Sequence, residues 1–174
     1  VLIPDFQGSA TALRNVIDAG PHVLAHNVET VDRLTPHVRD ARASYAQSLE
    51  VLATIRSESP GLFTKSSIML GLGETRDELL RAFEDLRSVG VQFLTLGQYL
   101  QPTQKHLRVE RFLTPDEFKE LEVLALGYGF EYVASGPLVR SSYKAGEFFI
   151  ASRLRTRAAS NPQFPTTKGV EHGV

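Results

Sequence analysis

Residues 63–90 read Phe63-Thr-Lys-Ser-Ser-Ile-Met-Leu-Gly-Leu-Gly-Glu-Thr-Arg-Asp-Glu-Leu-Leu-Arg-Ala-Phe-Glu-Asp-Leu-Arg-Ser-Val-Gly90. The first eight residues form a short, largely apolar run, which predicts a strand. Gly71-Leu-Gly-Glu74 then breaks the pattern, and Thr75-Arg-Asp-Glu78 has the spacing of a capping box. In that device the Thr hydroxyl accepts the Glu backbone N–H while the Glu carboxylate reaches back to the Thr N–H. Leu79, Phe83 and Leu86 follow at helical spacing, and Gly90 can take the left-handed stop conformation. One strand, one turn and one capped helix make a β/α unit.

The same alternation extends in both directions. Apolar runs at 1–4, 22–28, 91–96 and 131–135 flank segments whose apolar residues recur at three and four. Examples are Leu13/Val16/Ile17, Tyr45/Leu49/Leu52/Ile55 and Phe118/Leu121/Leu124. Thr114-Pro-Asp-Glu117 repeats the capping box with Pro at the first helical position, and Gly20 and Gly129 are further stops. Strand–helix alternation of this kind gives a parallel sheet with right-handed crossovers. A complete eight-fold barrel takes about 250 residues, so 174 residues fit an α/β fold that is part of a TIM-type barrel, or an open sheet. The chain opens in mid-strand, so the C-terminal portion of a longer protein is expected. Residues 1–152 would form the barrel part and 153–174 a disordered tail.

Composition narrows the chemistry. With 19 basic and 20 acidic residues the formal charge is −1, which argues against a nucleic-acid arm and hence a nucleic-acid partner. No apolar run has the length of a membrane helix, so no membrane partner is expected. The chain holds 0 Cys. Disulfides, thiolate nucleophiles and cysteine-ligated clusters therefore cannot be built from its own side chains.

Ligands of parallel α/β folds gather at the carboxyl ends of the strands, so the candidate residues lie there. Asn27 and Glu29 share one face of a strand end, with His26 and Val28 on the other. This pair suits hydroxyls and an ammonium, or simply caps the next turn. His22 and His26 stand too far apart along a strand to chelate one ion. Lys65 sits in an otherwise apolar strand and reads equally as a site lysine or as a partly buried structural one. Gly71, Gly73 and Glu74 would let a ligand approach a helix N-terminus, or would only form a tight turn. Gln98, Gln101, Lys105 and His106 follow the fourth strand, as pocket-lining groups or, for at least half of them, as a solvated loop. Arg140-Ser-Ser-Tyr-Lys144 follows the last strand, where chemistry alone disfavours serine as a metal ligand.

Taken together, several stretches resemble lipoyl synthase of the radical S-adenosylmethionine superfamily. They are Val1-Leu-Ile-Pro-Asp-Phe, Ala25-His-Asn-Val-Glu-Thr-Val, Lys65-Ser-Ser-Ile-Met-Leu-Gly-Leu-Gly-Glu-Thr, Leu94-Thr-Leu-Gly-Gln-Tyr-Leu-Gln-Pro-Thr and Ala134-Ser-Gly-Pro-Leu-Val-Arg-Ser-Ser-Tyr-Lys-Ala-Gly. The last is the most specific, because no folding rule demands Val-Arg-Ser-Ser-Tyr after a barrel strand. The resemblance implies a partial (β/α) barrel, S-adenosylmethionine, and two 4Fe–4S clusters, one radical-generating and one auxiliary sulfur donor. It implies insertion of two sulfur atoms at C6 and C8 of a protein-bound octanoyl group. The implied partners are octanoylated carrier domains of 2-oxoacid dehydrogenase complexes and the glycine-cleavage H protein, a ferredoxin-type electron donor and an iron–sulfur carrier.

Carried over residue by residue, Asn27, Lys65, Gly71, Gly73 and Glu74 match positions near S-adenosylmethionine. Ser142, with Ser141 as second choice, matches the serine ligand of the auxiliary cluster. Both three-cysteine motifs of the family are absent, so the chain alone is expected to be inactive. The alternative is a cysteine-free, non-catalytic paralogue that binds octanoyl carriers. A biotin-synthase-type enzyme is a weaker third reading. The mitochondrial matrix is the expected location, with the bacterial cytoplasm or a plastid as alternatives.

Overall fold

The computed structural model describes residues 1–140. Its elements run α1 (Ala10–Asp18), β1 (Val23–Ala25), α2 (Thr35–Val38), α3 (Tyr45–Glu58), β2 (Phe63–Leu70), α4 (Arg76–Ser88), β3 (Phe93–Gln98), α5 (Pro115–Gly127) and β4 (Tyr132–Gly136), with two short 3₁₀ turns. The four strands form one sheet in the order β1-β2-β3-β4, and every pair is parallel. When parallel strands follow one another in chain order with right-handed crossovers, all helices fall on one face. That is the arrangement of a segment of a (β/α) barrel, as the sequence predicts.

The boundaries differ from the expected ones where the apolar runs are interrupted. The run 63–70 is a strand over its whole length, but 22–28 is a strand only at Val23–Ala25. Residues 1–4 are not a strand. Leu2 makes a single parallel bridge to Ala25, supported by Ile3 N–H to the Ala25 carbonyl at 2.9 Å and Ala25 N–H to the Val1 carbonyl at 2.8 Å. Pro4 lacks the amide hydrogen a longer ladder would need.

Both predicted capping boxes are present, Thr75 with Glu78 and Thr114 with Glu117. Gly20, Gly90 and Gly129 all have the positive φ expected of helix stops. The helix-facing side of the sheet (Ile68, Leu70, Leu94, Leu96, Val133) packs with Leu79, Phe83 and Leu86 of α4 and with Phe118, Leu121 and Ala125 of α5. Ile3, Leu13, Leu24, Val51, Ile55 and Leu62 form a second cluster under α1 and α3. Phe83 is fully buried and meets Tyr128 and Phe130 edge-on. Burial of a side chain of this size contributes about 1.5–3 kcal/mol. Among the described residues no helix is long and apolar enough to cross a membrane.

Candidate functional site at the carboxyl ends of the strands

Alternation along each strand puts Lys65, Ser67 and Met69 of β2, Phe93, Thr95 and Gly97 of β3, and Tyr132, Ala134 and Gly136 of β4 on the side away from the helices. Register aligns them in rows: Ala25, Lys65, Phe93 and Tyr132; then Ser67, Thr95 and Ala134; then Met69, Gly97 and Gly136. The first row is bulky, and Phe63 stacks on Phe93 with ring centroids 5.1 Å apart. The row above it is small, with the hydroxyls of Ser67 and Thr95 beside Ala134, and the last row is Met69 beside the strand-end glycines Gly97 and Gly136. The inner face thus carries two stacked aromatic rings at its base, with Lys65, Ser67 and Thr95 as its polar side chains.

Asn27 and Glu29 continue β1 along this side. Asn27 Nδ2 donates to Glu29 Oε1 at 3.1 Å, which brings the two side chains together although the ladder slips by one residue between Ala25 and Glu29. Glu29 has φ 67, a left-handed conformation rare outside glycine, yet it stays tied to β2. Its N–H donates to the Ser67 carbonyl, and its carbonyl accepts from Met69 N–H. Asn27 is buried, and its Oδ1 has no hydrogen-bond partner among the described residues. A buried carbonyl oxygen left bare costs about 1–3 kcal/mol, so this atom is an unused acceptor.

Lys65 is 7% exposed, and its Nζ lies 3.5 Å from Thr95 Oγ1. Burial lowers its pKa to about 8, and the nearby Glu29 carboxylate opposes that shift. His26 and Val28 lie on the other face. His26 Nδ1 is 3.0 Å from the Ile3 carbonyl, so the proton sits on Nδ1 and Nε2 is left as a buried acceptor. Burial holds the imidazole below its usual pKa against the pull of the Ile3 carbonyl. His26 is therefore a neutral structural histidine that fixes the N-terminal segment to β1.

The Gly71–Glu74 turn is filled by the chain itself. Glu74 accepts from Gly71 N–H at 2.6 Å and from Leu72 N–H at 2.9 Å, so its carboxylate occupies the amides an external anion would use. Gly71 (φ 97) and Gly73 (φ 96) are both left-handed. A Cβ on Gly71 would collide with the Arg111 carbonyl oxygen and the Gln98 amide, whereas one on Gly73 would meet Glu110 Cγ at an ordinary 3.6 Å. Arg33 adds a brace, donating to the Gly73 carbonyl at 2.9 Å while pairing with Glu78 at 2.6 Å.

Gln98 is not a loop residue lining a pocket. It ends β3, is buried, and points to the helix side. Its Nε2 donates to the carbonyls of Leu70 (3.0 Å), Tyr99 (3.1 Å) and Arg111 (3.0 Å), and its Oε1 accepts from Leu113 N–H (3.0 Å). Gln101, Lys105 and His106 are exposed, as the solvated-loop reading has them.

Gly97 is a feature that strand spacing alone did not single out. A Cβ there would collide with the Val139 carbonyl oxygen, and one on Gly136 would lie 3.3 Å from Val139 Cγ2. The chain after β4 therefore folds back across the inner face at the carboxyl ends of β3 and β4. Arg140 follows and is exposed. Ser141, Ser142 and the proposed tail 153–174 lie outside the described residues. Asn27, Glu29, Lys65 and Thr95 thus come together on the inner face, while Gly71, Gly73 and Glu74 form the adjoining rim.

No family model matches the chain. Over 150 residues it is 64% identical to a lipoyl synthase of Myxococcus xanthus, covering 86% of this chain and 50% of that protein. It is 56% identical over 159 residues to the mitochondrial lipoyl synthase of Culex quinquefasciatus, covering 91% and 42%. The Drosophila melanogaster mitochondrial form is 55% identical over 156 residues, covering 90% and 41%. The chain thus spans half or less of the length of these curated relatives. Among solved structures, the HMG-CoA lyase of Brucella melitensis superposes with a TM-score of 0.45 at 13% identity, covering 91% of this chain and 65% of that one.

Proposed function

Because this chain belongs to the lipoyl synthase family over the portion of those relatives that it spans, we propose that it forms one wall of a site that binds S-adenosylmethionine beside a protein-borne octanoyl group. The whole protein would insert sulfur at C6 and C8 of that group. The observation that carries the reading is the bare Asn27 Oδ1, buried on the inner face beside the Lys65 and Glu29 charges. An acceptor, a cation and a carboxylate in one place suit a ligand with hydroxyls, an ammonium and a carboxylate, and S-adenosylmethionine has all three. When bound, and given one electron by a reductant outside this chain, it would supply the chemistry that removes hydrogen from unactivated carbon.

This chain's residues would bind and orient. Asn27 Oδ1 accepts a ligand N–H or O–H. Glu29 fixes the Asn27 amide so that this oxygen faces inward. Lys65 offers a cation to the ligand carboxylate, and that contact raises the lysine's pKa again. Gly71, Gly73 and Glu74 act one step back, by setting the height of the rim. The stacked rings of Phe63 and Phe93 make the base of the inner face apolar.

The residues present do not fit an iron–sulfur cluster. The chain has 0 Cys, and no group of three or more potential metal ligands lies among the described residues. Ser142, the one proposed ligand, lies outside them. The relatives include mitochondrial forms and a Myxococcus protein, so both settings stand for this chain.

Two measurements test the reading. Asn27→Ala in the whole protein should weaken binding of S-adenosylmethionine, followed by calorimetry, by about tenfold or more, the scale of a hydrogen bond to a charged group. Unchanged affinity would remove Asn27 from the site.

The second measurement concerns Lys65 and pH. Its native pKa of about 8 lies below the ordinary 10.5, so between those values the unfolded chain binds more protons than the folded one. This group's contribution therefore rises with pH across that window, and below about 8 the cost of burying the cation is felt in full. Urea unfolding of Lys65→Met should lack this rise and match or exceed wild-type stability at neutral pH. An identical pH dependence in both proteins would contradict the assignment.

A further inference from the structure

Residues 100–113 join β3 to α5 without regular secondary structure. Connections in α/β units are usually about 2–6 residues, so this one is long, yet it holds a definite shape. Tyr99 donates its hydroxyl hydrogen to the Leu107 carbonyl at 2.9 Å, and Gln101 Nε2 donates to the His106 carbonyl at 2.8 Å. Thr103 Oγ1 lies 2.9 Å from His106 Nδ1. At its base, Glu110 N–H donates to the Gly71 carbonyl at 2.9 Å, which fixes the loop on the rim of the candidate site.

The shape exposes apolar groups rather than hiding them. Leu107 is 43% exposed, and Leu100 and Phe112 on the same loop are 41% and 66% exposed. Lys105 and Arg108 flank Leu107 in sequence and form no ion pair among the described residues. An exposed Leu107 flanked by two cations that form no ion pair among the described residues, on a loop fixed by hydrogen bonds that also exposes Leu100 and Phe112, makes a preformed contact surface.

We propose that the 100–113 loop is the docking surface for the folded domain that carries the acyl group, and that this domain's contacting face is acidic with an apolar centre. The proposal rests on the function stated above, since a carrier-borne substrate must present its acylated side chain at the rim where this loop stands. A macromolecule fits better than a free small molecule, because the apolar groups project outward. The unpaired Lys105 and Arg108 select for opposite charge and speed encounter.

The test uses the whole protein, with an octanoylated carrier domain and a short octanoyl-lysine peptide as alternative substrates. Leu107→Asp and Arg108→Glu alter exposed side chains and should leave the fold intact, which circular dichroism checks. For either variant kcat/KM with the carrier should fall about tenfold or more, as for a central interface residue. The value with the short peptide should stay within about twofold, and in wild type added salt should shrink the carrier's advantage over the peptide. Equal losses on both substrates, or no loss on the carrier, would overturn the proposal. If wild type converts neither substrate, the functional reading fails instead. Calorimetric binding of the octanoylated carrier then decides the docking question: lost affinity in the variants supports it and unchanged affinity refutes it.

Discussion

Gly71→Ala should destabilise the chain by about 3 kcal/mol or more and release the 100–113 loop from the rim. Two costs add. At φ 97 an L-residue is strained by about 1–2 kcal/mol. The added methyl also collides with the Arg111 backbone carbonyl, which cannot swing aside, and with the end of the Gln98 side chain, which its own hydrogen bonds hold in place. Gly73→Ala is the matched control. Its φ of 96 carries the same conformational cost, but its Cβ would make only an ordinary contact with Glu110. Urea unfolding of the two variants separates the terms, with Gly71→Ala expected to lose about twice as much. Equal losses would show that crowding at Gly71 is absorbed by movement.

Gln98→Leu should be comparably severe for a different reason. The side chain is close in volume, so no large cavity forms. The carbonyls of Leu70, Tyr99 and Arg111 and the N–H of Leu113 lose the amide that serves them all. The Leu70 carbonyl keeps the Tyr99 N–H as a donor at 2.8 Å, but leaving the other buried polar groups unpaired costs about 1–3 kcal/mol each, and a total of about 3–5 kcal/mol is expected after partial relaxation. Hydrogen exchange localises the effect: Leu113 N–H should lose protection, while the α4 amides near Phe83 should not. A stability change under about 1 kcal/mol would mean that water or other groups replace the amide.

The two sites show which parts of the molecule the sequence makes legible. Strand 63–70 and the helix after Thr75 follow from local pattern, because a capping box and helical periodicity are short-range devices. The parallel sheet follows from repetition of that unit. Asn27 and Glu29 are expected together from alternation, and a hydrogen bond joins them, but the structure reaches that pairing through a left-handed Glu29 and a one-residue slip in the ladder beyond β1. Gln98 and Gly97 are different. What they do depends on Arg111, Leu113 and Val139, residues 13 to 42 positions away, and no periodicity reports such meetings. The missing strand at 1–4 has a different and local origin. Its apolar residues suit a ladder, but Pro4 ends the pairing after a single bridge to Ala25.

The order of the sheet bears on how the chain is made. Each strand pairs with the strand synthesised just before it, and no strand in β1-β2-β3-β4 waits for a later one to be inserted between it and its neighbour. A ribosome delivering this chain from its N-terminal end would hand over each β/α unit when its docking partner already exists, so the sheet can grow as it emerges. Among the described residues, the return of Val139 over Gly97 must come after the last strand. Until Val139 folds back, the carboxyl-end rim of the inner face beside Gly97 and Gly136 stays open.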